Sequence, residues 1–218
     1  MLWDLDGTLI DSEEYHWQSW LETMRGEGRE ISRAQFLGCF GQKNDRILSD
    51  WLGPEATPER IVRVADAKEA SYRNLMRAGG LQWLPGIPDW TRRLATEGWR
   101  QAIASSAPRA NIDAVLEVLG AGDVFDAIVS AEDVRHGKPA PDVFLAAAAR
   151  LRVPPDRCIV VEDAMAGIEA AKRAGMRSIG VRGAAKAGPD LAAAEIAELP
   201  ADAFDALLAM NAAAQGRP

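Results

Sequence analysis

The stretch Met1–His16, MLWDLDGTLIDSEEYH, sets three carboxylates, Asp4, Asp6 and Asp11, directly behind a short apolar run. Like charges repel, and a turn needs at most one Asp for its own hydrogen bonds. A bound cation is therefore the first explanation for the crowding. The run MLWDL reads as a short β-strand. Behind it, Ser12 is placed to cap a helix whose apolar positions Trp17, Trp20, Leu21 and Met24 repeat at helical spacing.

That helical texture lasts to about Gly80. Ser32 is placed to cap a short second helix through Phe36. After GCFGQKN a third helix runs through Ile47 and Leu48 to Trp51 and stops at Gly53-Pro54. Thr57-Pro58 opens a long fourth, ending at Gly79-Gly80. Trp17, Trp20 and Trp51 fit the core of this helical unit, and Trp83 is a candidate substrate contact.

From WLPGIPDW onward the texture changes. Short apolar runs, RQAIAS, AIVSA, RCIVVED and RSIGV, alternate with helices beginning near Pro88, Pro108, Pro141 and Ala164. Alternation of this kind predicts an α/β fold, a Rossmann-like parallel-sheet core with helices on both faces. A small all-α unit is inserted between the first and second core strands. The expected division is residues 1–12 and 84–218 for the core and 13–83 for the insert. The connections at Ser12-Glu13 and Leu84-Pro85-Gly86 are then hinge candidates. The Ala-rich tail reads as closing helices with an edge strand.

Bulk properties narrow the function classes. Of 218 residues, 48% are hydrophobic and 26% charged, with a formal net charge of −7. That composition suits an ordinary globular protein. Without a basic tract, nucleic acid and anionic membrane are excluded as expected partners. Cys39 and Cys158 read as two buried free thiols in a reducing compartment. Neither a signal-peptide pattern nor an apolar run of roughly 20 residues is seen, so a cytoplasmic location is expected.

In an open parallel sheet, ligands bind beyond the carboxyl ends of the strands. The residues arriving there are Asp4 and Asp6, then Ser105 and Ser106, then Lys138 in GKPAPD, then Glu162 and Asp163. Singly, most are explained by turns and helix caps. A calcium loop fails for DLDG because Gly7 comes too early and no bidentate Glu closes the twelve-residue spacing. Together on one rim, they read as a site.

Four ordered motifs, DLDGTLIDS, ASS, GKPAPDVF and VVEDAMAGIEAAKRAGM, resemble the haloacid dehalogenase superfamily. The nearest resemblance is to its β-phosphoglucomutase-like branch of phosphatases and mutases, which carries a helical cap after the first strand. The resemblance implies a phosphoryl-transfer enzyme using Mg²⁺. Asp4 is then the nucleophile that forms an aspartyl-phosphate, and Asp6 the general acid and base. Asp4, Asp6 through its backbone carbonyl, Asp163 and Glu162 are the implied metal set. Ser105 and Lys138 bind phosphoryl oxygens, and the N–H groups of Gly7-Thr8 add donors. Asp11 takes a turn role outside the site. Asp6 also argues against dehalogenation, because halide leaves without a proton.

The cap is expected to set the substrate, a small phosphorylated metabolite. Lys68 falls on the apolar stripe of the fourth helix with Val64 and Tyr72, where either a snorkelling stem or a functional ammonium fits. EYHWQSW resembles the mutase's own segment, which implies that His16 and Lys68 lie over the site and orient the acid–base Asp and the substrate. Gly41-Gln42-Lys43-Asn44 matches the family's specificity loop. Ser106, Lys43, Asn44 and Arg109 complete the substrate-binding candidates. Asn44 stands where the mutase has an arginine, and Pro108-Arg109 where it has a Lys-Asn pair, which favours a phosphatase of small phosphate monoesters, sugar phosphates above all. The alternatives are a phosphosugar mutase and a non-catalytic phosphate-binding protein of the same fold. A monomer is the state the branch implies. Only three residues precede Asp4, so the central strand is short, and lengthening it is expected to raise stability.

Overall fold

The computed structural model describes residues 1–39 and 42–215, with side chains described through Met210. Gly41 of the expected specificity loop lies outside the described residues. Six parallel strands form one sheet: β1 (Leu2–Trp3), β2 (Ala102–Ala104), β3 (Ala127–Val129), β4 (Ile159–Glu162), β5 (Arg177–Val181) and β6 (Leu191–Ala193), in the order β3-β2-β1-β4-β5-β6. Short as it is, β1 is central. Leu2 pairs with Ala102 and Val160, Trp3 pairs with Ile103 and Val161, and the Asp4 N–H extends the ladder to the Val161 carbonyl at 3.0 Å.

Because successive side chains of a strand face opposite ways, β1 feeds both layers of the core. Trp3 joins Ile103, Ile112, Val161 and Ile179 on one face, while Leu2 joins Ala102, Phe144, Ala147 and Val160 on the other. The helices α5 (Ile87–Thr96), α6 (Arg109–Leu119) and α9 (Ala203–Gln215) lie on the first face; α7 (Asp142–Leu151) and α8 (Met165–Arg173) lie on the second. The buried Trp3 indole donates to Gln101 Oε1 at 3.1 Å, so the bulkiest residue of β1 is also satisfied.

Between β1 and β2 come α1 (Glu13–Gly26), α2 (Arg33–Cys39), α3 (Asn44–Leu52) and α4 (Pro58–Gly79). They enclose their own apolar cluster of Trp20, Met24, Phe36, Ile47, Leu48, Leu52 and Val64, with Trp17 and Trp51 packed against it. Thr57 caps α4 by accepting from the Arg60 N–H, and Ser32 and Gln35 cap the start of α2 reciprocally. Ser12 differs from expectation. It precedes α1 without a side-chain cap, because its hydroxyl donates to Asp6 instead.

The two connections run side by side. The Leu84 N–H donates to the Leu9 carbonyl at 2.9 Å, and Ile10 pairs with Trp83. Trp83 packs towards Phe125 on the core and does not line the cavity between core and helical unit. Both cysteines are free, Cys158 buried and Cys39 only half-buried. No helix among the described residues is long and apolar enough to cross a membrane.

Candidate active site

The sheet order places β2 and β4 on either side of β1, so the chain leaves the first strand at a switch point, where an open α/β sheet has its crevice. Asp4 leaves β1 there, Ser105 follows β2, Glu162 ends β4 and Asp163 follows it. Asp4, Glu162 and Asp163 offer carboxylate oxygens that all lie within 4.8 Å of one another. The Lys138 Nζ reaches Asp4 Oδ1 and stands 2.6 Å from Glu162 Oε1. The second Glu162 oxygen accepts the Ala164 N–H at 2.7 Å.

Glycine makes the close approach of these acids possible. Gly7 has φ +82°, and a Cβ there would lie 2.1 Å from Asp163 Oδ2. On α8, a Cβ at Gly167 would lie 1.8 Å from Glu162 Oε1. Thr8 Oγ1 donates to Asp163 Oδ1 at 3.3 Å. The Gly7 N–H, expected as a phosphate donor, is instead bonded to the Ile10 carbonyl at 2.8 Å, and the Thr8 N–H turns to Leu5 at 3.4 Å. The turn uses these donors to close itself.

Three clustered carboxylates against one ammonium leave negative charge uncompensated in a buried place. Burial pushes the Asp163 carboxyl up to about 7, with the Glu162 charge adding to it. Burial likewise raises Asp4, against the pull of Lys138. Lys138 is held protonated, because the charges of Asp4 and Glu162 outweigh its desolvation. Such a set, all hard oxygen donors and short of positive charge, fits a small divalent cation such as Mg²⁺.

Asp6, two residues beyond Asp4, belongs to a different set of partners. Its Oδ1 accepts from the Ser12 hydroxyl and lies 3.1 Å from His16 Nε2. His16 Nδ1 lies 2.8 Å from Lys68 Nζ. An ammonium can only donate, so Nδ1 accepts and the ring proton sits on Nε2, facing Asp6. Burial pushes Asp6 up, but His16, Ser12 and Lys68 outweigh it and hold the carboxyl below its usual value. His16 also stacks on Tyr72 with ring centroids 4.1 Å apart. Lys68 is 2% exposed, which settles against a snorkelling stem.

The remaining expected residues divide. Ser105, Ser106 and Asn44 line the cavity with Asp4, Asp6, His16, Lys68, Lys138, Glu162 and Asp163. Ser105 Oγ accepts the Ala107 N–H at 3.0 Å, which aims the hydroxyl group from a fixed turn. Arg109 is a correction: it stands off the cavity, its Nε 2.7 Å from Asp113 and its N–H bonded to Glu132, because its first helical turn offers a nearer carboxylate than the crevice does. Lys43 is directed elsewhere too. Its stem covers Gly137 and its Nζ donates to the Val134 carbonyl at 3.2 Å. Asp11 pairs with Arg182 at 3.4 Å on the surface.

Sequence reasoning missed Glu69. It is 6% exposed and lines the cavity, and it accepts from Lys68 Nζ at 2.9 Å, Asn44 Nδ2 at 2.6 Å and Asn111 Nδ2. Burial raises its carboxyl, but Lys68 and its other donors outweigh that and keep it ionised. The available signal was weak: a Glu one place past a lysine on the apolar stripe.

The haloacid dehalogenase-like hydrolase family matches residues 1–181 of the chain. Protein CbbY of Rhodobacter capsulatus is 33% identical over 218 residues, covering 95% of this chain and 96% of its own. Fructose-1-phosphate phosphatase YqaB of Escherichia coli strain K12 is 31% identical, covering 84% of this chain and 95% of its own. Among solved structures, the β-phosphoglucomutase of Clostridium difficile superposes with a TM-score of 0.87 at 28% identity, covering 97% of each chain.

Proposed function

The chain belongs to the haloacid dehalogenase-like hydrolase family, and we propose that it is a Mg²⁺-dependent phosphatase of small phosphate monoesters, with sugar phosphates as its substrate class. The observation that carries the reading is the different company kept by two aspartates. Asp4 lies against Lys138 among the clustered acids, whereas Asp6 faces Ser12 and His16. That separation of partners on one cavity supports a nucleophile and a distinct proton carrier.

In this mechanism a lone pair of the Asp4 carboxylate forms a bond to phosphorus. The bond from phosphorus to the ester oxygen breaks, and its electron pair leaves on the alkoxide, which takes a proton from Asp6 in its protonated form. In the second half Asp6 removes a proton from water, which attacks phosphorus. The acyl-phosphate bond then breaks, freeing phosphate and restoring Asp4. Lys138 and Ser105 bind the transferring oxygens. His16 holds Asp6 in line, and residues 13–83 act as the cap that excludes bulk water. Asp4, Asp163 and the Asp6 backbone carbonyl would hold Mg²⁺, with Glu162 beside them. When bound, it supplies positive charge that offsets repulsion between Asp4 and the incoming phosphate.

The partners of Asn44, Arg109 and Lys43 favour a phosphatase over a mutase. A mutase must grip a second phosphate, yet Asn44 donates to Glu69, Arg109 pairs with Asp113 and Lys43 donates to Val134. The relative named as a fructose-1-phosphate phosphatase supports the substrate class. The mutase remains the competing reading, on the likeness to β-phosphoglucomutase. Incubation with β-glucose 1-phosphate and its bisphosphate separates them. Steady release of free phosphate is expected; rapid glucose 6-phosphate with little free phosphate would overturn the proposal.

A further inference from the structure

Among the described residues, the helical side of the cavity presents one cation, Lys68, and that cation is already enclosed. Its ammonium has three N–H groups. It lies 2.8 Å from His16 Nδ1 and donates to Glu69 Oε1 at 2.9 Å, while the rings of Trp20 and Tyr72 close over it at 5.2 and 5.4 Å. Glu69 beside it stays ionised. Asn44 and Asn111 also donate to Glu69. Three donors on a carboxylate with about four lone-pair sites leave one site for a hydroxyl. Trp20, Phe36 and Ile47 give the same side of the cavity an apolar surface.

The cavity has a volume of about 60 Å³, room for a few water-sized groups. At Asn44, Ser106 and Pro108 it adjoins a wider recess of about 250 Å³. With phosphorus at Asp4, the rest of an ester runs past Glu69 and Asn44 into that recess. Asp45 and Glu132 line it, and the one cation there among the described residues, Lys43, is turned to the Val134 carbonyl. Along this path a second anionic group meets carboxylates, with no ammonium or guanidinium directed at it.

We propose that the far end of the substrate is uncharged: the chain takes monophosphates of neutral polyhydroxy compounds and rejects bisphosphates and phosphorylated acids, and Glu69 sets this selectivity. Glu69 accepts a substrate hydroxyl, and the apolar surface takes the C–H groups of the carbon chain. A phosphate or carboxylate in the same place is stripped of water against an ionised carboxylate, with no opposite charge to receive it. The inference rests on the phosphatase reading and narrows its substrate class.

Phosphate release in Mg²⁺ tests it on two matched pairs, fructose 1-phosphate with fructose 1,6-bisphosphate and glucose 6-phosphate with 6-phosphogluconate. Within each pair kcat/KM should be about tenfold or more lower for the doubly anionic compound, as a like-charge contact requires. Glu69→Gln should raise the ratio of bisphosphate to monophosphate kcat/KM about fivefold, the scale of one charge removed at close range in a wet site. Taking the ratio within one protein cancels any effect of the substitution on the acid–base end. Asp45→Lys, at an exposed position of the recess, should raise the ratio about threefold, and it serves where Glu69→Gln fails to fold. Equal kcat/KM across a pair, or a folded Glu69→Gln that leaves the ratio unchanged, would overturn the selectivity. A ratio unmoved by Asp45→Lys would overturn the path through the recess. Melting curves of Asp4→Asn with Mg²⁺ read the same preference without turnover: fructose 1-phosphate should protect more than the bisphosphate, and equal protection would overturn the inference whatever the reaction. Absence of release from every ester by the unmodified protein counts against the phosphatase reading instead.

Discussion

The Lys138 ammonium stands 2.6 Å from Glu162 Oε1 while also contacting Asp4, so one buried cation serves carboxylates delivered by two adjacent strands. Lys138→Ala leaves both acids uncompensated. Removing one member of a buried ion pair costs about 3–5 kcal/mol, and protonation of Asp4 offsets part of it. The urea midpoint at pH 7 should fall accordingly. Phosphate release should drop by about 10²–10³ or more, the cost of losing one preorganised donor to developing charge. An unchanged midpoint would contradict the pairing.

Mg²⁺ should stabilise the protein as well as activate it, because the acid cluster is short of positive charge. A ligand at a hundred times its dissociation constant adds about 2.7 kcal/mol. Melting curves should therefore shift upward with Mg²⁺ and return with EDTA. Asp163→Asn should abolish that shift. The same shift in both proteins would place the cation elsewhere.

Asp133 gives a stability term with a defined acid window. Arg150 above all, with Ser130, holds its carboxyl down to about 2. A depressed carboxylate contributes stability above its unfolded pKa of about 3.9 and loses it as pH falls through the folded value. The contribution is present at pH 5 and fades between about pH 4 and pH 2. Discounted for a side chain 26% exposed, Asp133→Asn should be about 1–2 kcal/mol less acid-sensitive across that window. Urea titrations at pH 5 and pH 2.5 check it, and equal sensitivity would count against the pairing.

Gly167→Ala sets two effects against each other. Alanine in place of glycine gains about 1 kcal/mol of helix propensity in α8. Its Cβ also meets Glu162 Oε1 at 1.8 Å and drives the carboxylate off Lys138, at a cost of about 1.5–3 kcal/mol for a charged hydrogen bond. The packing conflict is the larger. The variant should melt lower and bind Mg²⁺ more weakly, whereas a higher melting temperature would show that Glu162 relaxes freely.

Much of this architecture is legible because its signals are local. The alternating runs from Gln101 to Val181 became β2–β5, and Asp4 and Asp6 declared themselves by crowding one turn behind a strand. Lys68 was visible because an ammonium on an apolar stripe contradicts its surroundings. The Glu69–Asn111 contact was not visible, since it joins two ordinary polar residues 42 positions apart and only the tertiary fold brings them together. Arg109 misled for the converse reason: its place after the second motif predicted a site contact, but Asp113, one helical turn on, offered a nearer partner. Ser12 did the same, giving up the cap of α1 for Asp6.

The central claim, that Asp4 attacks phosphorus in a Mg²⁺-dependent phosphatase, is tested most directly by phosphate release from a panel of sugar monophosphates, with and without Mg²⁺, beside Asp4→Asn. Release that requires Mg²⁺ and vanishes in Asp4→Asn is the predicted result. Release that persists in Asp4→Asn, or none from any ester by the unmodified protein, would contradict it.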